Sequence, residues 1–190
     1  MDGPSPLTGR LLVAMPGIED PRFEHAVILV CSHGPDHAMG VRLDAQASGV
    51  SLATVLDRLD LPPAEAGGER PVMVGGPVER ERGFVVHTDD WLSHGSSLPF
   101  GEGLALTGTR DALVAMADPV SGPRRALLAL GYAGWGEGQL ESELADNVWL
   151  VAEAEIDVIF DLDHASKWAR ALRTVGVDEA GALSGQSGRA

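Results

Sequence analysis

The chain has 190 residues, 44% of them hydrophobic and 22% charged, a composition that fits one globular core and excludes intrinsic disorder. Asp and Glu number 28 against 14 Lys and Arg, and the formal net charge of −14 disfavours direct nucleic-acid binding, because it repels a phosphate backbone. A lone cysteine, Cys31, excludes an intrachain disulfide and a thiolate zinc cluster, while no apolar run approaches the ~18 residues that span a bilayer.

No basic stripe offsets the charge: Arg80 and Arg82 alternate with Glu79 and Glu81, and only Arg124 and Arg125 are adjacent. The first residues lack the basic start and apolar stretch of a secretory leader, so the expected location is a reducing cytoplasm. Residues 1–7 and 184–190 are small, polar or Pro-rich and are expected to be flexible ends around a single domain over residues 8–183.

Leu11–Met15 reads as a short apolar strand stopped by Pro16-Gly17, and Ala26–Cys31 as a fully buried strand; both are expected at a sheet centre. Met39–Leu43 is a partner strand reached through the Ser32–His37 turn, which makes the pairing antiparallel. The apolar residues Leu52, Val55, Leu56 and Leu59 share a helical face, with Ser51 as N-cap and Pro62-Pro63 as the stop. A Gly-rich, charged loop over Ala64–Arg70 follows. Val72–Val74 then forms a strand that enters the Gly75-Gly76-Pro77 turn, and Gly83–His87 forms another.

Leu104–Thr107 is a further strand, and Thr109 with Asp111 opens a helix through Ala117 that Pro119 closes. Ala126–Leu130, another buried strand, runs into a glycine-dense loop over residues 131–138 and then a helix over Gln139–Asn147 with acidic residues near its start. Trp149–Val151 and Val158–Phe160 are apolar segments of open type. Ala165–Val175 closes the domain as a helix with Trp168, Leu172 and Val175 on one face. Strand pairs mixed with scattered helices and no internal repeat give an α+β class rather than regular βαβ winding.

Four groups of residues are candidates for chemistry. Gly131, Tyr132, Gly134, Trp135 and Gly136, with Gln139 and Glu141, lie where backbone amides ahead of a helix can hold an anion. Their spacing matches neither a dinucleotide nor a P-loop fingerprint, and Glu137 and Glu141 oppose a phosphate; close backbone packing is the simpler account. Cys31 and His33 resemble a nucleophile and its base, and His25, His33, His37 and Asp36 would be needed for a metal, but no pair has a zinc-type spacing. Neither a metal nor a cofactor is expected. Gly75, Gly76 and Pro77 either turn the chain or bring backbone close to a ligand. Glu19, Asp20, Glu141 and Glu143 would form an acid/base pair only if the fold joined them.

In order and spacing, several blocks resemble the AlgH/YqgE family of bacterial proteins: Ala14-Met-Pro-Gly-Ile-Glu-Asp-Pro-Arg-Phe, Ala38-Met-Gly, Val74-Gly-Gly-Pro-Val, Arg82-Gly-Phe-Val-Val-His, Leu130-Gly-Tyr-Ala-Gly-Trp-Gly-Glu-Gly-Gln-Leu-Glu-Ser-Glu-Leu, Asn147-Val-Trp-Leu, Ile159-Phe-Asp, and Lys167-Trp-Ala-Arg-Ala-Leu followed by Val175-Gly-Val-Asp. The resemblance spans residues 7–184. It implies an α+β fold with a mixed, bifurcated and partly barrel-like sheet surrounded by helices, in a family of unknown activity whose members include some described as transcriptional regulators. Where the family pattern after Ala-Met-Gly reads like Leu-Val-Ile-Asn-Arg/Lys-Pro, this chain has Val41-Arg-Leu-Asp-Ala-Gln, so any ligand contact that the Asn-Arg-Pro corner makes in the family is not carried over to this chain. The distinctive residues are Gly, Pro, Trp and Tyr rather than a convergent titratable set. The expectation is therefore a non-enzymatic binding or regulatory protein for a small molecule or protein partner, possessing no membrane role. The competing expectation is a hydrolase-like or thiol-dependent enzyme using Cys31 and His33.

Overall fold

The computed structural model describes residues 7–177, so the ends expected to be flexible fall outside the described residues except for Leu7, which packs against the core. Three aliphatic strands, β1 (Arg10–Ala14), β2 (Val27–His33) and β3 (His37–Arg42), form an antiparallel meander in which Leu11 faces Leu29 and Leu29 faces Val41. The expected antiparallel return through residues 32–37 is present, with a bulge between Val30 and Ser32. On the outer side of β1 lies β10 (Trp149–Glu153), so the first apolar segment of open type is a strand.

Two long strands organise the rest. The 11-residue β9 (Ala126–Gly136) and β6 (Val78–Thr88) pair antiparallel, and β6 continues through β8 (Leu104–Thr107) to β7 (Ser97–Phe100). The first half of β9 also carries β5 (Pro71–Val74) in parallel, with Val72 opposite Leu128, and β5 carries β4 (Gln46–Ser51). Its second half pairs instead with β3, Ala38 facing Trp135. The change of partner is the bifurcation. Gly75 sits at the branch, donating its N–H to the Leu130 carbonyl at 2.8 Å and accepting from the Arg42 N–H at 2.8 Å. The single domain is α+β, and its sheet curls into a half-barrel.

Helices cover the sheet in two places. α1 (Leu52–Arg58) and α2 (Arg110–Met116) bury Leu52, Leu56, Leu113 and Met116 against Val72, Val85 and Leu128. Ser51 caps α1 as its sequence indicates: its Oγ accepts from the Thr54 N–H, and Thr54 Oγ1 reaches back to the Ser51 N–H. Thr109 precedes α2 but turns its hydroxyl to Asp111. α3 (Gln139–Ala145) ends earlier than expected, α4 (Ile156–Ile159) accounts for the second open segment, and α5 (Lys167–Thr174) lays Trp168 and Leu172 on the larger core.

The glycine-dense loop expected over residues 131–138 is corrected: β9 continues to Gly136, and only the next two residues turn before α3. Ladder pairing with β3 and β6 overrides the low strand propensity of its glycines. β4, β7 and the Val78–Arg82 half of β6 are strands that the sequence does not announce. They are polar, exposed or interrupted by Pro99, as edge positions allow.

Candidate functional site

The two glycine groups singled out in the sequence meet. A Cβ on Gly76 would lie 2.1 Å from the carbonyl carbon of Tyr132, one on Gly75 2.2 Å from the Gly131 oxygen, and one on Gly131, whose φ is +75°, 2.6 Å from the Gly76 oxygen. The Gly75-Gly76-Pro77 corner therefore lies directly on the β9 backbone, and no side chain fits between them. By contrast, a Cβ at Gly136 or Gly138 would have open space around it.

Beyond this contact, the β9 backbone presents Tyr132, Gly134 and Trp135 to an open cleft of about 570 Å³ shared with Met39 of β3 and with Arg82 and Phe84 of β6. Leu98 and Leu106 extend the apolar wall. The Tyr132 and Phe84 rings meet edge to face with centroids 5.7 Å apart, and the Arg82 guanidinium sits 4.9 Å above the Phe84 ring. Ser32 and His37 supply further polar groups, and Glu79, whose Oε2 lies 3.5 Å from Arg82 Nη1, adds a carboxylate to the same lining. Among the described residues, neither the Tyr132 nor the Ser32 hydroxyl has a hydrogen-bond partner, so both are open to a ligand.

Trp135 is held from behind. Its indole N–H donates to Glu143 Oε2 at 2.9 Å, and the Trp149 indole donates to the same oxygen at 2.8 Å. Gln139 Nε2 donates to Glu143 Oε1 at 3.2 Å, while Gln139 Oε1 accepts the Gly136 N–H at 3.1 Å. Gln139 and Glu143 thus lock the end of β9 to α3 and β10, and Gln139, expected as a ligand contact, has a structural task. Sequence reasoning grouped Glu143 with three other carboxylates; its eight-residue separation from one tryptophan and six from the other is the signal that would have marked it.

The first turn of α3 carries a carboxylate of the chain itself. Glu141 lies with Oε1 2.5 Å from His33 Nε2, and bonds to its own backbone N–H and to His33 hold its carboxyl below the usual range. With His33 turned to Glu141, Cys31 lies in the core at 1% exposure, its thiol directed to the Leu29 carbonyl. Burial pushes that thiol up to about 12, so the nucleophilic thiolate is not populated at neutral pH. Neither does the fold join the four carboxylates: Asp20 pairs with Arg22, and Glu141 and Glu143 serve separate partners. Among the described residues no group of three or more His, Cys, Asp or Glu is placed to hold a metal.

Two further buried polar sites had no sequence signal. His87, fully buried, donates from Nδ1 to the Thr88 carbonyl (2.9 Å), so its Nε2 accepts from Thr107 (2.8 Å), which in turn accepts from Ser97 (2.7 Å). Lys167 is also fully buried and donates to the carbonyls of Ile159 (2.7 Å) and Leu43 (3.2 Å), anchoring α5 beside the end of β3. Burial lowers it to about 8. Nearby His164 is lowered to about 4, by burial first and then by Lys167, and both its ring nitrogens lack partners among the described residues.

Comparison with known proteins matches residues 11–180 to the family model described as AlgH-like. The chain belongs to the AlgH-like family. A relative in Caulobacter vibrioides called a UPF0301 protein is 54% identical over 184 residues, covering 97% of this chain and 94% of its own length. Another in Ruegeria pomeroyi is 47% identical, covering 97% and 99%. The solution structure of the AlgH protein from Pseudomonas aeruginosa superposes with a TM-score of 0.76 at 38% identity, over 100% of this chain and 98% of that one. A crystal structure of a Corynebacterium diphtheriae protein, 23% identical with a TM-score of 0.72 over 91% of this chain and 89% of that one, shares the fold. These relatives are bacterial, and among the described residues no helix is long and apolar enough to cross a membrane.

Proposed function

We propose that this AlgH-like chain is a non-enzymatic binding protein whose cleft takes a small aromatic acid or amide, and that any regulatory effect, including one on transcription, runs through a partner protein. The observation that carries this reading is the coincidence, in one cleft of about 570 Å³, of the Tyr132 and Phe84 rings, two unpartnered hydroxyls and the Arg82 guanidinium, whose exposed 3.5 Å pairing with Glu79 in the same lining is weak enough for a ligand to replace. That volume lies within the roughly 300–1,000 Å³ of small-molecule sites, and the ring walls with few polar groups suit a flat ligand with one polar edge. The buried, protonated Cys31 supports no thiol chemistry, and a single buried cysteine suits a reducing cytoplasm. A net charge of −14 favours contact with a protein over contact with DNA.

Thermal-shift titration of a panel of aromatic acids and amides tests the cleft. One chemical class is expected to stabilise the wild type, and Tyr132→Ala to lose that stabilisation while keeping its own fold. No stabilisation by any member at millimolar concentration rejects the reading. A gel-shift titration with duplex DNA at low salt tests the partner-mediated part: no retention is expected, and salt-sensitive retention overturns it.

A further inference from the structure

A second cavity, of about 430 Å³, opens on the other side of the Arg80–Gly83 segment. Arg58 from the last turn of α1, Arg80 and Arg82 from β6, and Arg110 from the start of α2 surround it. Val55, Leu59, Val85, Leu113 and Leu130 give it an aliphatic lining. Four of the chain's 14 basic side chains therefore gather at one opening in a protein of net charge −14.

These charges are poorly neutralised by the chain itself. Glu81 is the one acid in the lining, and Arg82 has Glu79 at 3.5 Å in an exposed pair of small worth. Among the described residues, no carboxylate lies within ion-pair distance of Arg58, Arg80 or Arg110. Like charges gathered at one opening repel unless an anion enters, and a guanidinium matches phosphoryl oxygens in a two-pronged geometry. A bare phosphate would leave the aliphatic lining unused. We propose that this arginine-rimmed cavity binds a small diphosphate ester, with the phosphoryl groups at the guanidinium rim and an apolar or planar body on the aliphatic lining. The site is independent of the aromatic cleft, and its test leaves Arg82, which borders both, unchanged.

Isothermal titration of the full chain at low ionic strength, using ADP, geranyl diphosphate and inorganic pyrophosphate, provides the test. At least one organic diphosphate is expected to bind roughly tenfold more tightly than pyrophosphate, as the added apolar contact requires. Tightest binding of ADP identifies a nucleotide source, and tightest binding of geranyl diphosphate an aliphatic one. The double substitution Arg80→Ala/Arg110→Ala, at exposed positions, is expected to weaken that ligand at least tenfold without lowering the melting temperature. Arg124→Ala/Arg173→Ala removes the same charge elsewhere and is expected to change affinity less than about twofold. The proposal is overturned if none of the three ligands binds at about 1 mM, if pyrophosphate binds as tightly as the tighter of the two esters, or if the two double variants weaken binding equally.

Discussion

Substituting Glu143 by alanine removes the one oxygen that accepts both the Trp135 and Trp149 indole N–H groups, at 2.9 and 2.8 Å. The two tryptophans are 6% and 3% exposed, so water replaces the lost acceptor poorly from their side, whereas Glu143 itself is only half-buried and its vacated space hydrates in part. An unsatisfied buried donor costs about 1–3 kcal/mol, and two donors with partial hydration give about 2–4 kcal/mol of lost stability. In a chain of this size each kcal/mol corresponds to roughly 2–4 °C, so the melting temperature should fall by roughly 5–15 °C. Urea unfolding followed by tryptophan fluorescence measures the loss, and the two indole N–H resonances should shift together. Glu143→Gln keeps one oxygen for both indoles and should lose about 1 kcal/mol. A Glu143→Ala protein within about 0.5 kcal/mol of wild type would refute the account of how β9 is fastened to α3 and β10.

Gly76→Ala places a Cβ about 2 Å from the Tyr132 backbone, so the corner or β9 must move; a stability loss of about 3 kcal/mol or more by chemical denaturation is expected, along with a disturbed Tyr132 resonance. Thr107→Val leaves His87 Nε2 without its donor and should cost about 1–3 kcal/mol, read in the same assay. His164 is lowered in the fold from 6.5 to about 4; the folded state therefore binds its proton less readily than the unfolded chain, and stability from this group is lost as pH falls through that window. The full effect is about 3 kcal/mol, and the difference between wild type and His164→Leu in urea titrations from pH 7 to pH 4 isolates it. Cys31 should react with a thiol reagent at pH 8 only on unfolding, and stoichiometric labelling of the native protein would contradict its burial.

Much of the fold was legible because its central strands are continuous aliphatic runs: Leu11–Ala14, Val27–Cys31 and Leu127–Leu130 bury every residue or nearly so, and only a sheet centre accommodates that. Ser51 marked its helix start through a local hydrogen bond, which sequence spacing reveals. What escaped was non-local. The glycines of the second half of β9 look like a loop because their strand conformation comes from β3 and β6, far away in sequence. Tyr132 and Trp135 were legible as pocket residues, but Phe84 and Arg82 reach them only through the β6–β9 pairing. The alternation of Arg80 and Arg82 with Glu79 and Glu81 looked self-neutralising, whereas Arg80 has no carboxylate at ion-pair distance among the described residues. The buried Lys167 is invisible in sequence because a lysine on a short helix ordinarily faces water; the carbonyls of Leu43, far away in the chain, and of Ile159, at the end of α4, hold it inside.

The most direct measurement of the central claim is a backbone amide NMR titration of the full chain with an aromatic acid such as indole-3-carboxylate. Saturable shifts confined to Met39, Phe84, Tyr132, Gly134 and their neighbours are the expected result. Shifts that never saturate, or that fall elsewhere with the Tyr132 region unmoved, would contradict the assignment of the cleft as the binding site.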